Sequence, residues 1–200
     1  MEYFVYCRDN EGTAPLREQL GEQHWSFMDG YAEGMVARGP TLSEDGLTAT
    51  GSMHILDLPD VEAARVFAFE EPNYRAGIYA EVMVRRWQNL LGGTMWALAV
   101  DTDDADRFLV IGHGTTGIEA SSNGRTAAHS DFVTKHPYRD RLVVCGPLLS
   151  DDGSAWVGNV VAVERVTRSA VEAMLEDDPF ARDGLYDRVE IHLWRFGGRR

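Results

Sequence analysis

The chain contains an internal duplication, and this feature constrains its fold more than any other. The phrase EEPNYRAGIY at residues 70–79 returns as DDPFARDGLY at residues 177–186, a spacing of 107 residues. The N-terminal parts align at a spacing of 105 residues, which indicates one small insertion. A period near 100 residues is the length of a domain, so the sequence predicts two copies of one small domain. The other matching segments are Gly39-Pro40 with Gly146-Pro147, LSEDG (42–46) with LSDDG (149–153), Trp87 with Trp194, YFVYC (3–7) with FLVIG (108–112), and His24 with His129.

Each copy has the same predicted order of elements. Short runs rich in aromatic and β-branched residues, such as YFVYC, predict strands. Segments with apolar residues at helical spacing, such as DVEAARVFAFE and TRSAVEAMLED, predict helices, the second one capped by Thr167 or Ser169. The Pro of each repeated phrase ends the preceding helix. The order is βαββαβ in each copy, which is the ferredoxin-like supersecondary pattern.

A single βαββαβ unit covers one face of its sheet with helices and leaves the other apolar face open. The second copy can cover that face. We therefore predict an α+β fold in which two ferredoxin-like repeats pack sheet against sheet, as an intramolecular dimeric α+β barrel. The repeats span residues 1–90 and 106–200, and residues 91–105 link them. Within the linker region, TMWALAV (94–100) is too apolar for a free linker, and we expect it to add an edge strand or to pack across the joint.

Charge and cysteine content exclude several classes of partner. The formal net charge is -13 and no cluster of Lys and Arg is present, so we expect no nucleic-acid partner. No apolar run approaches the roughly 18 residues of a membrane span, and MEYFVYCRDN lacks the basic start of a secretory signal. We expect a cytoplasmic protein without a membrane partner; an acidic surface still permits a homodimer. Cys7 and Cys145 lie singly in apolar runs, which favours buried thiols over a disulfide or a metal site.

Taken together, these features resemble the YCII-related domain family. The resemblance rests on a helix with a single His, a Gly-Pro that ends the second strand, an acidic turn, a Gly-Ser that opens the third strand, and a phrase of the form DP(Y/F)xxAG(L/I)(Y/F). It covers roughly residues 1–90 and 106–197. It implies a dimeric α+β barrel whose pocket, between helix and sheet, is lined by a His and an Asp proposed to act as a dyad. It also implies elimination or dehydrohalogenation on a hydroxylated ring, alongside similarity to muconolactone-isomerase-like proteins.

Neither repeat copies the family pattern fully. The second repeat keeps His129 and Asp178 but has Asn159 where the family usually has Ser. The first repeat keeps His24 and Ser52 but has Glu71 in place of the Asp. The longer Glu side chain moves the carboxylate oxygens by about an ångström, which is enough to misplace a dyad.

The candidate residues are suited to proton transfer. A neutral imidazole can take a proton and return it when a carboxylate fixes its tautomer, which favours the pairs His129 with Asp178 and His24 with Glu71. Removal of a proton next to a carbonyl leaves an enolate, which can eject a leaving group or be reprotonated elsewhere. Asn159 and Ser52 are the candidate donors to that oxyanion. A His on an amphipathic helix is, alternatively, an ordinary core or surface residue, and Asp178 an ordinary turn residue before Pro.

Other side chains extend the candidate site. His54 lies two residues after Ser52 on a strand, so both point to one face, and its counterpart is Val161. Arg75 and Arg182 are candidates for binding an anionic substrate, with solvated or salt-bridged Arg as the alternative. Four glycines are interpreted as residues that the backbone conformation requires rather than as ligand-binding residues: Gly39, Gly146, Gly77 and Gly184.

Cofactor motifs are weak. GHGTTG (112–117) fits GxGxxG but no helix is predicted to open there, so we expect no dinucleotide. His129 and His136 are seven residues apart, too far for a chelating pair, and His113 is predicted in a loop, so we expect no metal.

Two functions remain open. One is a cofactor-independent lyase or isomerase acting on a small cyclic, oxygenated substrate that is either neutral or anionic. The other is a small-molecule-binding or accessory protein that retains the fold without the chemistry.

Overall fold

The structure is a computed structural model that describes residues 1–97, 106–119, 129, 131–133 and 139–197. Each half contains four strands, and helices cover one face of its sheet. The first repeat consists of β1 (Glu2–Asp9), α1 (Ala14–Gln19), α2 (Gly21–Asp29), β2 (Met35–Leu42), β3 (Ala49–Asp57), α3 (Val61–Glu70), α4 (Pro72–Arg75) and β4 (Tyr79–Trp87). The second consists of β5 (Arg107–Glu119), β6 (Leu142–Leu149), β7 (Ala155–Glu164), α5 (Arg168–Asp177), α6 (Pro179–Arg182) and β8 (Tyr186–Trp194), with residues 129 and 131–133 helical between β5 and β6.

The long helices begin and end where the sequence dictates. The side chain of Asp60 accepts a hydrogen bond from the Ala63 amide at 2.8 Å and caps α3. Thr167 rather than Ser169 caps α5, accepting from the Ala170 amide at 3.2 Å. Both helices end at the first residue of the repeated phrase. Its Pro then starts a new four-residue helix, because a first helical position needs no amide hydrogen.

The eight strands form one closed antiparallel barrel in the order β1-β3-β2-β8-β5-β7-β6-β4. Each repeat supplies a four-stranded sheet with ferredoxin-like order, β4-β1-β3-β2 and β6-β7-β5-β8. Two short edge pairings join the sheets, Thr41 with Trp194 at one seam and Trp87 with Leu148 at the other. The predicted α+β class and the intramolecular dimeric barrel are confirmed.

Apolar side chains form three clusters that follow from this geometry. The barrel interior is filled from both repeats, with Phe4 and Trp87 from the first and Ile111 and Trp194 from the second. Two outer clusters lie between each sheet and its own helices. Strand alternation explains the division, because successive side chains point into the barrel and toward the helices.

The Gly-Pro pairs lie at the two seams. A Cβ on Gly39 would stand 1.8 Å from the carbonyl oxygen of Arg195, and a Cβ on Gly146 would stand 1.8 Å from that of Gln88. The chain after each last strand passes over the other repeat here, and the Arg195 amide donates to the Pro40 carbonyl at 3.2 Å. Glycine is required because the two backbones approach closely.

The joint between the repeats carries a short 3₁₀ helix at Met95–Ala97. Met95 is buried in the barrel interior, so this part of the apolar segment packs across the joint. Over residues 91–97 no strand forms; residues 98–105 lie outside the described part of the chain.

Two motifs of the sequence have a plain structural explanation. GHGTTG belongs to β5, so His113 lies in a strand and its predicted loop position is wrong; an irregular register between His113 and Ile118 accommodates the glycines. Cys7 and Cys145 are both free and buried. His136 lies outside the described residues. Among the helices of the described segments, none is long and apolar enough to cross a membrane.

Candidate active site

His24 and Glu71 form a buried hydrogen-bonded pair in the first repeat. α2 carries His24, and Glu71 stands between α3 and α4, where its Oε2 caps α4 by accepting from the Tyr74 amide at 3.1 Å. Its other oxygen, Oε1, lies 2.5 Å from Nδ1 of His24. A proton on Nδ1 makes this bond, so the carboxylate fixes the tautomer and leaves the lone pair on Nε2.

A cavity of about 470 Å³ lies beside this pair, between the helices and the sheet of the first repeat. This volume is within the range of small-molecule sites, which is about 300–1,000 Å³. Part of the cavity wall is apolar and consists of Trp25, Met28 and Pro40. The polar lining consists of Arg17, His24, Arg38, Ser52, His54 and Asn73, with the exposed Glu18 and Thr48.

Ser52 is held for donation by a buried ion pair. Arg17 binds Asp9 through two hydrogen bonds of 2.8 Å and also donates from Nη2 to Ser52 Oγ at 3.0 Å. Because the hydroxyl oxygen accepts from a guanidinium, the hydroxyl hydrogen remains for an acceptor in the cavity.

His54 is a second imidazole in the cavity wall. It is 3% exposed, its ring lies 6.0 Å from that of His24, and its Nδ1 has no hydrogen-bond partner among the described residues. Burial lowers the pKa of His54 well below its usual value, and the positive charges of Arg17 and Arg38 lower it further. His54 is therefore neutral at pH 7.

The corresponding residues of the second repeat are arranged differently. Nε2 of His129 lies 3.6 Å from Oδ2 of Asp178, too far for a hydrogen bond. Oδ2 instead accepts from the Tyr186 hydroxyl at 3.0 Å, and Oδ1 accepts from the Phe180 amide at 2.8 Å. Both carboxylate oxygens of Asp178 thus serve the local structure.

Asn159 is also occupied. Its Nδ2 donates to the Tyr186 hydroxyl at 2.7 Å, and its Oδ1 accepts from Trp156 Nε1 at 3.3 Å. Burial, together with the charge of Asp178, raises the pKa of Tyr186, so the hydroxyl keeps its proton and the network stays intact.

The cavity beside His129 measures only about 20 Å³, enough for about one water molecule. Two aromatic residues pack beside His129 at positions where the first repeat has smaller side chains. Phe180 stacks on His129 with ring centres 4.6 Å apart, and Trp156 lies 4.9 Å from Phe180. At the spacing of 107 residues, the counterparts of Phe180 and Trp156 are Asn73 and Ala49, which both line the larger cavity.

The candidates from sequence thus fall into three groups. The members of the first group line the larger cavity, except Glu71, which contacts His24 from outside the lining. The second group lines the small cavity, whereas Arg75 and Arg182 are exposed and line neither. Arg75 pairs with Glu70 on the surface. The first group is His24, Glu71, Ser52 and His54, and the second is His129, Asp178 and Asn159.

Sequence reasoning missed Arg17, Arg38 and Asn73 in the cavity wall. Arg38 could have been found, because it stands inside the apolar strand segment MVARGP, where a charged residue is unusual, and its counterpart is Cys145. Arg17 and Asn73 occupy polar segments that give no comparable signal.

Comparisons with known proteins agree with this architecture. A model of the YCII-related domain matches residues 1–88 and 91–195. A candidate chlorite dismutase is 12% identical over 96% of this chain and 94% of its own, with a TM-score of 0.61. A candidate monooxygenase from Lactobacillus acidophilus NCFM is 9% identical over 98% of this chain and 96% of its own, with a TM-score of 0.55. These two similarities concern the fold alone.

A third solved structure matches less than half of this chain. It is 5-chloro-2-hydroxyhydroquinone dehydrochlorinase from Burkholderia phenoliruptrix AC1100, 25% identical over 44% of this chain and 94% of its own, with a TM-score of 0.42. Among curated proteins, no sequence matches this chain.

Proposed function

The chain belongs to the YCII-related domain family, with one copy of the domain in each half, and we propose that it is a cofactor-independent lyase or isomerase acting on a small cyclic oxygenated substrate. The observation that carries the proposal is the 2.5 Å contact between His24 Nδ1 and Glu71 Oε1 beside a cavity of about 470 Å³. The first repeat then holds the working site. The closed second repeat has a structural role.

His24 is the general base and acid of the proposed reaction. Its Nε2 removes a proton from a carbon next to a carbonyl, and Glu71 stabilises the imidazolium that results. The Ser52 hydroxyl donates to the oxygen of the enolate as negative charge develops there. The enolate then expels a leaving group, or it takes the proton back from His24 at another carbon. Elimination and isomerisation therefore share one set of residues.

The test begins with an NMR pH titration of His24 and His129 in the wild type, in Glu71→Gln and in Asp178→Asn. We expect the His24 titration curve to move in Glu71→Gln, because the imidazolium loses its carboxylate partner. Asp178→Asn is the matched control in the other repeat and leaves the His24 curve in place. A His24 curve that is indifferent to Glu71 would contradict the proposed pair.

The second step measures turnover on halogenated and unsubstituted hydroxylated rings, followed by halide release and by proton NMR. We expect His24→Gln to lower kcat by about 10²- to 10⁴-fold, the usual contribution of general acid-base catalysis. A protein that binds such rings equally well with and without His24, and turns none of them over, would instead be a small-molecule-binding protein.

A further inference from the structure

Arg38 gives the first-repeat cavity a positive charge that the second repeat lacks. It projects from β2, is 7% exposed and lines the cavity that His24 also lines. Its counterpart at the spacing of 107 residues is Cys145, a buried thiol. The charge is thus specific to the repeat with the open cavity.

The charge of Arg38 is poorly compensated by the residues that the structure describes. Its ionic partner there is Asp29, at 4.0 Å from Nη1, and Asp29 is 46% exposed at its side chain. Nε donates to the Gly197 carbonyl at 3.3 Å. Burial lowers the pKa of Arg38 and outweighs the attraction of Asp29. A buried guanidinium with such weak pairing favours an anionic ligand.

The other charged groups around the cavity are either paired or screened by solvent. Arg17 is matched by Asp9 through two hydrogen bonds. Glu71 is turned to His24 and to the Tyr74 amide, and it does not line the cavity. The remaining acid of the lining, Glu18, is exposed to solvent, where water screens its charge. Arg38 is therefore the cation that a ligand in the cavity meets.

We propose that the first-repeat cavity recognises a carboxylate on its ligand through the guanidinium of Arg38, so that the substrate is a small anionic ring compound. A planar guanidinium matches a carboxylate with two parallel hydrogen bonds, which fixes orientation as well as position. The inference rests on the proposed function for the choice of cavity, but not for the chemistry at His24. The chain carries a net charge of -13, so a local cation is needed to hold an anion at all.

The experiment compares matched ligands that differ only in charge. We would measure by isothermal titration calorimetry the Kd of 2,5-dihydroxybenzoate and 2,5-dihydroxybenzamide, and of benzoate and benzamide, with the full chain. We expect each acid to bind about 10- to 100-fold more tightly than its amide. Arg38→Gln removes this difference, and Arg65→Gln, an exposed Arg on α3, keeps it.

A second variant tests the proposal independently of whether Arg38→Gln folds. Asp29→Asn removes a half-exposed competitor for the same guanidinium, so we expect the acids to bind about 2- to 5-fold more tightly and the amides to be unchanged.

Three outcomes would overturn the inference. They are equal affinity for acid and amide, an acid preference that survives in Arg38→Gln, and no binding of either acid at about 10 mM. Each is distinct from failure of the proposed function, which appears in the His24→Gln kinetics and in the His24 titration. An acid preference that persists in His24→Gln supports recognition by Arg38 whether or not the chemistry is present.

Discussion

One methylene group separates the two carboxylates of the duplicated site. Glu71 and Asp178 both cap a four-residue helix with one oxygen. The longer side chain of Glu71 lets its second oxygen reach His24 at 2.5 Å, whereas the second oxygen of Asp178 stays 3.6 Å from His129 and binds Tyr186 instead. The departure from the family's Asp therefore brings the His and the carboxylate together in the first repeat.

His54 makes the stability of the protein sensitive to mildly acidic pH. Burial, with the charges of Arg17 and Arg38, lowers its pKa in the folded protein well below the unfolded value of 6.5. Above pH 6.5 both states leave His54 neutral. Below it the unfolded chain takes a proton that the folded protein excludes, so the free energy of unfolding falls by up to about 1.4 kcal/mol per pH unit. We expect His54→Gln to lose this slope between about pH 6.5 and 5.

Urea denaturation at several pH values measures the effect. The quantity compared is the slope of the free energy of unfolding against pH, so a lower stability of the variant at pH 8 does not affect the test. Parallel curves for wild type and His54→Gln through this window would contradict a neutral, buried His54.

At the level of elements, the seams of the barrel depend on two glycines. A Cβ at Gly39 or Gly146 would overlap a backbone carbonyl oxygen of the other repeat at 1.8 Å, so β2 or β6 must shift away from its neighbour. We expect Gly39→Ala and Gly146→Ala each to lower the free energy of unfolding by about 1–3 kcal/mol. Gly93→Ala is the control, because nothing lies within 4 Å of its Cβ position. Denaturant midpoints for the three variants check this, and equal midpoints would contradict the close approach.

The sequence predicts more of the fold than of the site. Repetition fixed the order of elements in each half, and the uncovered sheet face required a partner, which the second copy supplied. The closure of the second cavity was not accessible, because Trp156 and Phe180 are the kind of apolar residue that any strand or turn uses for its core. Only the structure shows that Phe180 stacks on His129 and that Trp156 packs on Phe180, whereas their counterparts Asn73 and Ala49 line the larger cavity. Site position and site volume depend on packing between segments far apart in sequence.

At the scale of the whole molecule, one ionic cluster joins the two repeats. Arg8 of β1 donates from Nη2 to Glu190 of β8 at 2.5 Å, and His113 of β5 lies 2.7 Å from the other oxygen of the same carboxylate. His192 is 3.2 Å from Glu190 and 3.3 Å from the Tyr6 hydroxyl in the barrel interior. The duplication does not repeat this cluster, since the counterpart of Glu190 is Met83. The cluster is therefore a contact between unlike repeats.

Glu190 contributes stability through this cluster. Burial raises its pKa, but hydrogen bonds with His113, His192 and Arg8 outweigh the burial and hold the pKa well below its usual value. A lowered folded pKa means that the contribution is complete above the unfolded value of about 4.5 and is lost as the pH falls toward the folded value. We expect Glu190→Gln to lower the free energy of unfolding at pH 7 by about 1–3 kcal/mol.

Below pH 4.5 the free energy of unfolding of the wild type then falls toward that of Glu190→Gln, because protonation of Glu190 removes the same interactions. Glu81→Gln is the matched control: Glu81 also contacts Arg8, at 3.4 Å, but its side chain is 61% exposed and belongs to the same repeat. An exposed pair contributes about 0–1 kcal/mol, so this variant unfolds close to the wild type. If both variants lost the same stability, the cluster would act only as a local contact of Arg8, and the joining of the repeats would depend on the apolar interior, the two seams and surface pairs such as that of Arg65 with Asp151.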